Sequence, residues 1–419
     1  MRRTTLGVAS IGIVLVLTGC GVSQANRTAP TTHAVPVTST PTPSHRTGNR
    51  TAKNPSSKPV TLAKNNWINI HMVNSKVGWG VVFSTKGATV VRTADGGKSW
   101  FDVSPHGTRI DTPNGVDFIN KETAWMTIQP VSQSTHAFKT YFMLYHTNNG
   151  GQTWSSVKVS GNNQPPIQET EISIVNPSTI YIDIVPEHGM NSMPGQLTVS
   201  DNGGTSWKTV NTPSDVQLGG SLQFVAPSTG WLSTSNSTTG TYQLYQTLDG
   251  GTSWHKHRVP VPPQYQGDKA SPSLPQFSAA NANSGILQAT FQGQGGVVEH
   301  RGIYSTSNAG KSWSFIGPIP GQAGFVSFPN TRIGIAIPLS SSKTFPTLYE
   351  TTDGGESWTS VALPRSPFST LLQNSVPSQL DFVSKNVGWM VWGPRRGGSA
   401  TEEIWNTTDG GRTWTKVFS

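Results

Sequence analysis

Seven times along the chain a Ser or Thr is followed by Asp or Asn two residues on, then by two small residues, a variable one, a second Ser or Thr, and Trp. The copies occupy 93–100, 147–154, 200–207, 247–254, 306–313, 351–358 and 407–414. Their second-shared positions, Asp95, Asn149, Asn202, Asp249, Asn308, Asp353 and Asp409, fall 45 to 59 residues apart. That spacing is the length of one four-stranded propeller blade, a unit that cannot bury its own faces and must stack on its neighbours. The repeat therefore constrains the fold before any other property is considered.

A second motif precedes each box. Val116-Asp-Phe118 leads to Ala124-Trp125, Leu222-Gln-Phe224 to Gly230-Trp231, and Leu380-Asp-Phe382 to Gly388-Trp389, with related strings in the other repeats. Apolar–polar–apolar alternation is the period of a strand, and the Gly–aromatic step opens the next one. Each repeat thus reads as strand 1, a short turn, strand 2, strand 3, the box, and strand 4. The predicted fold is all-β, a seven-bladed β-propeller with four-stranded antiparallel blades over 67–419. The fifth repeat carries two extra residues between Phe277 and Gly285.

The box itself reads as a hairpin turn. Asp and Asn accept backbone N–H bonds from residues just downstream, and glycine adopts positive φ without penalty. The closing residues Trp100, Trp154, Trp207, Trp254, Trp313, Trp358 and Trp414 supply apolar plates for the blade edge. Ala309 replaces a glycine, so the fifth turn is expected to be the most strained. The box acids are read as structural, in preference to a catalytic or calcium-binding role.

The amino terminus sets the expected location. Arg2 and Arg3 precede an apolar run from Leu6 to Leu17, too short to span a bilayer and of the form of a secretory signal. It ends in Leu17-Thr18-Gly19-Cys20, which resembles the lipobox of bacterial lipoproteins, and Cys20 is the only cysteine. The expectation is a signal peptide over 1–19, lipidation at Cys20, and anchorage on the outer side of the cytoplasmic membrane. Residues 20–66 hold the lipidated cysteine and a Pro/Thr/Ser-rich disordered tether without an acid. As a flexible coil that tether would span about 40 Å. Pro59–Ala63 is a candidate to pad an outer blade edge.

The formal charge of +9 needs dividing. The first 66 residues carry eight Lys/Arg and no acid, whereas the rest carries 22 bases and 21 acids. The basic excess belongs to the leader and tether, where it suits an anionic membrane or wall polymer. Nucleic-acid binding by the domain is not expected, nor is any cofactor or metal, and the chain reads as a monomer.

With its paired Phe-x5-Gly-Trp and Thr-x-Asp-Gly-Gly-x-(Ser/Thr)-Trp strings, the chain from Trp67 to Phe418 resembles the Asp-box (bacterial neuraminidase) repeat proteins. Among them it looks closest to the photosystem II assembly and stability factor family. The resemblance implies a non-enzymatic exported propeller that binds a membrane protein or complex, or an assembly intermediate. The long Pro/Thr tether departs from the compact form of that family.

Topology assigns the two faces. Strand 1–2 turns and boxes share one face, while the length-variable strand 2–3 and 4–1 loops share the other, the usual place for binding. The densest mixed loop there is Trp392, Arg395, Arg396, Glu402 and Glu403, with Arg suited to carboxylate or phosphate and Trp to stacking. A solvated loop with self-paired charges is the competing reading. The polar residue of each strand 1 triplet forms a second set: His71, Asp117, Ser173, Gln223, Gln276, Ser327 and Asp381. Strand 1 is innermost, so these residues are read either as a polar channel ring holding water or a small ligand, or as hydrogen bonds between blades. Two alternatives use the same scaffold, a propeller binding carbohydrate or cell-wall glycan through exposed aromatics, and a sialidase-like glycosidase. Glycoside hydrolysis needs two carboxylates facing one bond, and Asp117 with Asp381 is the best long-range pair. No Ser/His/Asp, P-loop or zinc motif is visible.

Overall fold

The computed structural model describes residues 52–53, 59–106, 110, 113–129, 140–160, 166–186, 195–235, 242–278, 280–293, 299–321, 324–338, 345–395 and 400–419. The expected signal peptide and Cys20 lie outside them. The seven blades form a ring and span 67–102, 113–160, 167–209, 221–257, 269–318, 324–362 and 375–418. The main strands of each blade come from one continuous segment and pair antiparallel, so no strand is exchanged between the first and last blades.

Blade 1 shows how the sequence builds the unit. Its strands are Trp67–Met72, Gly78–Ser84, Gly87–Thr93 and Phe101–Asp102, from the channel outward. The second strand is buried from Gly78 through Phe83, because neighbouring blades cover both of its faces. The pairing of Phe with a following Gly is steric. A Cβ at Gly388 would lie 2.4–2.5 Å from the Phe382 ring, and one at Gly230 2.6–2.8 Å from the Phe224 ring. Only glycine lets the ring fold over the turn.

All seven boxes close by the same bonds. The first hydroxyl donates to the Asp or Asn side chain. The N–H of the second small residue donates back to that hydroxyl. The N–H two residues further on donates to the Asx Oδ1 at 2.9–3.0 Å. The last hydroxyl adapts to its partner, donating to Asp249 at 2.6 Å but accepting from Asn149 at 2.7 Å. The fifth box closes as well, with Ala309 held at φ +58°. A box N–H also reaches the strand 1–2 turn of the same blade, as Gly96 to Lys76 O at 2.8 Å, which puts turns and boxes on one face.

Two departures from the repeat stand out. In blade 5 the inner layer is split: Lys269–Pro272 and Gln276–Ser278 both pair with one long strand, Asn281–Gln292, which absorbs the extra turn residues. Before blade 7 the chain forms a helix, Arg365–Asn374, which buries Phe368 completely against Trp392 at 5.1 Å.

The ring is held by polar side chains where a swapped strand is absent. Three blade 7 groups bind alternate N–H groups along the inner edge of blade 1. Glu402 Oε2 accepts from Ile68 at 2.6 Å, Gln379 Oε1 from Ile70 at 2.9 Å, and Asp381 Oδ2 from Met72 at 2.7 Å. Gln379 Nε2 also donates to Ile70 O at 2.6 Å. The approach to blade 1 packs too: Pro59 bridges Phe101, Val60 N–H donates to Trp100 O at 2.7 Å, and Leu62 is buried. Packing thus begins before Trp67, inside the segment expected as tether, because Val60 and Leu62 supply apolar side chains. Ala52–Lys53 adds a further edge strand to blade 2.

Candidate functional site

The loop that composition singled out does not assemble into an open site. Trp392 is 0% exposed and faces Phe368. The Arg395 guanidinium donates twice to Leu372 O, at 2.9 and 3.2 Å, covering one of the carbonyls in the last turn of the helix. Glu402 is buried in the ring closure, and Glu403 accepts from Trp405 Nε1 at 3.0 Å and from Lys416 at 3.4 Å. Arg396 lies outside the described residues. The physical reason is the helix before blade 7, which the repeat did not announce and which takes both the aromatic ring and the guanidinium.

The strand 1 polar set lies along the inner edge, and its hydrogen-bond partners belong to the next blade. Asp117 accepts from Ile174 N–H at 3.3 Å, Ser173 from Phe224 at 2.7 Å, and Ser327 from Phe382 at 2.9 Å. Gln276 Nε2 donates to Phe328 O at 3.2 Å, and Asp381 completes the circuit at Met72. His71 stacks on Phe118 of blade 2 at 6.3 Å. Gln223 sits at the same register position in blade 4, half-buried. The inner strand has one unpaired edge, and these side chains satisfy it.

Burial dominates the acids of this region. It pushes Asp117 up to about 7, against the Ile174 hydrogen bond, and it raises Asp381 despite nearby His71 and the Met72 N–H. Glu402 is raised to about 7 for the same reason. Asp117 and Asp381 are half-buried. Each is committed to the neighbouring blade, and they are not joined across blade 1 by any hydrogen bond.

Two acids beside Glu169 extend this region beyond the expected set. Glu171 lies directly across the ladder from Asp183, which is 0% exposed, accepts from Gly219 N–H at 2.7 Å, and leaves Oδ1 without a partner. Burial and then the neighbouring acids Asp183, Glu169 and Asp117 push Glu171 up to about 8. The sequence shows Glu169 and Glu171 as a local pair, but Asp183 reads as one isolated acid in an apolar strand.

On the variable-loop face the described residues include several aromatic rings, two of them exposed. Trp67 is 42% exposed and lies flat on its cross-strand partner Phe83, ring centroids 3.7 Å apart and 9° from parallel. Tyr242, at the start of a blade 4 strand, is also exposed. Lys158 sits 4.1 Å over the Tyr141 ring in blade 2. Tyr265 stacks between Phe291 and His300 in blade 5. His257 is turned inward, bonded to Gln246 at 3.1 Å and set against Trp231. A shallow cleft of about 510 Å³ lies elsewhere, on the box side between blades 6 and 7, where Lys385 pairs with Glu350 at 2.6 Å. Among the described residues no group of three His, Cys, Asp or Glu could hold a metal ion, and no helix is long and apolar enough to cross a membrane.

No protein-family profile matches the chain, and no curated protein does. Solved structures do. A GH74 enzyme of Niastella koreensis aligns over 82% of this chain and 61% of its own, at 13% identity and TM-score 0.33. The chain therefore spans about three fifths of that enzyme's length. A prolyl endopeptidase aligns over 86% of this chain and 50% of its own, at 9% identity and TM-score 0.50. The β-propeller domain of the Trilobed protease from Pyrococcus furiosus, described as having an open velcro topology, aligns over 86% and 99%, at 10% identity and TM-score 0.49. At these identities the likeness shows one thing, that the chain is a β-propeller.

Proposed function

We propose that this chain is a non-enzymatic, exported binding propeller, held at the membrane through Cys20, that engages a membrane protein or assembly intermediate on the face opposite its boxes. The observation that carries the reading is the Trp67–Phe83 stack. A large ring kept 42% exposed, and fixed in orientation by a second ring 3.7 Å beneath it, is a pre-organised anchor for a partner. The carboxylates fit this reading better than hydrolysis. Glycoside hydrolysis needs one carboxyl protonated and one ionised across a single bond, whereas Asp117 and Asp381 are both raised by burial and bound to separate blades. The photosystem II assembly factor resemblance supplies the client class, a membrane complex under construction.

The same ring favours one second reading, because a flat exposed Trp also suits stacking against a sugar; the partner is then wall glycan. A photo-crosslinking residue at position 67 or 242, in the full-length chain within its own membranes, separates the two. A discrete protein adduct from 67 and 242, but not from exposed Leu248 on the box face, is the expected result. Retention on wall glycan without a protein adduct moves the reading to carbohydrate. Equal adducts from all three positions, or none with either partner, sink the binding-face assignment.

A further inference from the structure

The channel wall of blade 3, facing blade 4, gathers carboxylates, and among the described residues none of them is paired with a base. Glu169 and Glu171 are two residues apart on the inner strand Ile167–Ile174, so they share a face. Asp183 opposes Glu171 on the adjacent strand, and Asp117 of blade 2 reaches the same inner strand at Ile174. The charges acting on Glu171 are those of Asp183, Glu169 and Asp117, all acidic. Ion pairs among the described residues use other acids.

Ring building does not require this. Gln379 occupies the blade 7 position equivalent to Glu171, and there a neutral amide binds both N–H and C=O of Ile70 in the next blade. Blade 3 has a carboxyl in its place. Asp183 adds an independent sign: it is wholly buried, and Oδ1 is unpaired while Oδ2 is satisfied by Gly219. An unpaired buried carboxylate oxygen is costly unless a donor or a cation completes it.

We propose that Glu169, Glu171, Asp183 and Asp117 form a site for an organic cation, a primary ammonium or guanidinium group that enters the channel from the face opposite the boxes. The entry side follows from chain direction, since Ile167–Ile174 starts at that face and Glu169 and Glu171 are the third and fifth of its eight residues. Among the described residues no three such groups could hold one metal ion, whereas an organic cation carries several donors to set against separate carboxyls. The site uses the channel wall alone, so it stands whether or not the aromatic rim holds a partner.

Calorimetry on the full-length chain at low salt tests it, with spermidine and tetralysine as probes. One saturable site per chain is expected. Its Kd should rise about tenfold, equivalent to about 1.4 kcal/mol, in Glu171→Gln and in Asp183→Asn, an isostere that keeps an acceptor for Gly219. Glu122→Gln, which alters an exposed acid paired with Lys121, should leave it unchanged. Because Glu171 is raised to about 8, binding at pH 7 should release protons, and the heat should vary with the ionisation enthalpy of the buffer. Binding of tetralysine alone identifies a peptide side chain as the cation, and binding of both probes a free amine; either supports the site. No saturable binding at millimolar probe, or equal affinity in all variants, overturns it.

Discussion

Removing the Glu402 carboxyl tests whether side chains close the ring. Glu402→Ala leaves the Ile68 N–H buried without the acceptor it now has at 2.6 Å. An orphaned buried donor costs about 1–3 kcal/mol. A domain of ~350 residues unfolds with about 2.1 cal/mol/K per residue, so a 2 kcal/mol loss lowers Tm by about 3 °C. Glu402→Gln keeps a carbonyl acceptor in the same place, and near pH 4, where folded and unfolded chains both hold the proton, it should match the parent within about 0.5 kcal/mol. The two should diverge as pH rises. The folded chain holds this carboxyl at about 7, above its unfolded value, chiefly through burial. Its contribution is therefore complete below the unfolded value near 4.3 and is lost as pH climbs through 7. The glutamine variant has no such loss and should be the more stable protein at pH 8. Thermal unfolding of the full-length chain and both variants at pH 4 and 8 reads all of this. Equal stability of the alanine variant and the parent at both pH values, or equal losses in both variants, would refute a closure built on this hydrogen bond.

Other outcomes follow from the same geometry. Ala309→Gly relieves a left-handed residue at φ +58° and should stabilise the protein by about 0.5–1 kcal/mol in urea unfolding; a loss would mean that the turn is unstrained. Hydrogen bonds from Ser253 hold Asp249 down at about 2. Its contribution is present above the unfolded value and is lost as pH falls toward 2, so Asp249→Asn should flatten the acid limb of a Tm profile. Asp117, Glu171 and Asp183 are raised by burial to about 7, 8 and 7. Their contribution is complete below the unfolded carboxyl range and is lost as pH rises through 7 to 8, so Tm should fall from pH 5 to pH 8, and Glu171→Gln should reduce the slope. Trp67→Ala should abolish the adduct formed from position 242 while shifting Tm by less than the Trp79→Ala change, since Trp79 is wholly buried.

The repeat alone determined the blade count, the strand order, the two faces and the turn chemistry. Each is a local property: alternation sets a strand, a hydroxyl and an Asx close a turn, and a glycine admits a Phe ring. Even Ala309, the one irregular box residue singled out from the sequence, is found at positive φ. What a residue does between blades was not legible. Trp392 and Arg395 have the composition of a binding loop, but a helix of ten residues lying outside the repeat takes both into its packing. Glu402 and Gln379 look like surface polar residues until blade 7 is set against blade 1, more than 300 residues earlier in the chain. Asp183 acquires its company only when Glu171 is placed across the ladder from it. Ring closure brings together groups that have no relation along the chain, and burial then decides which of them bond, which lose their charge, and which ring is left facing solvent.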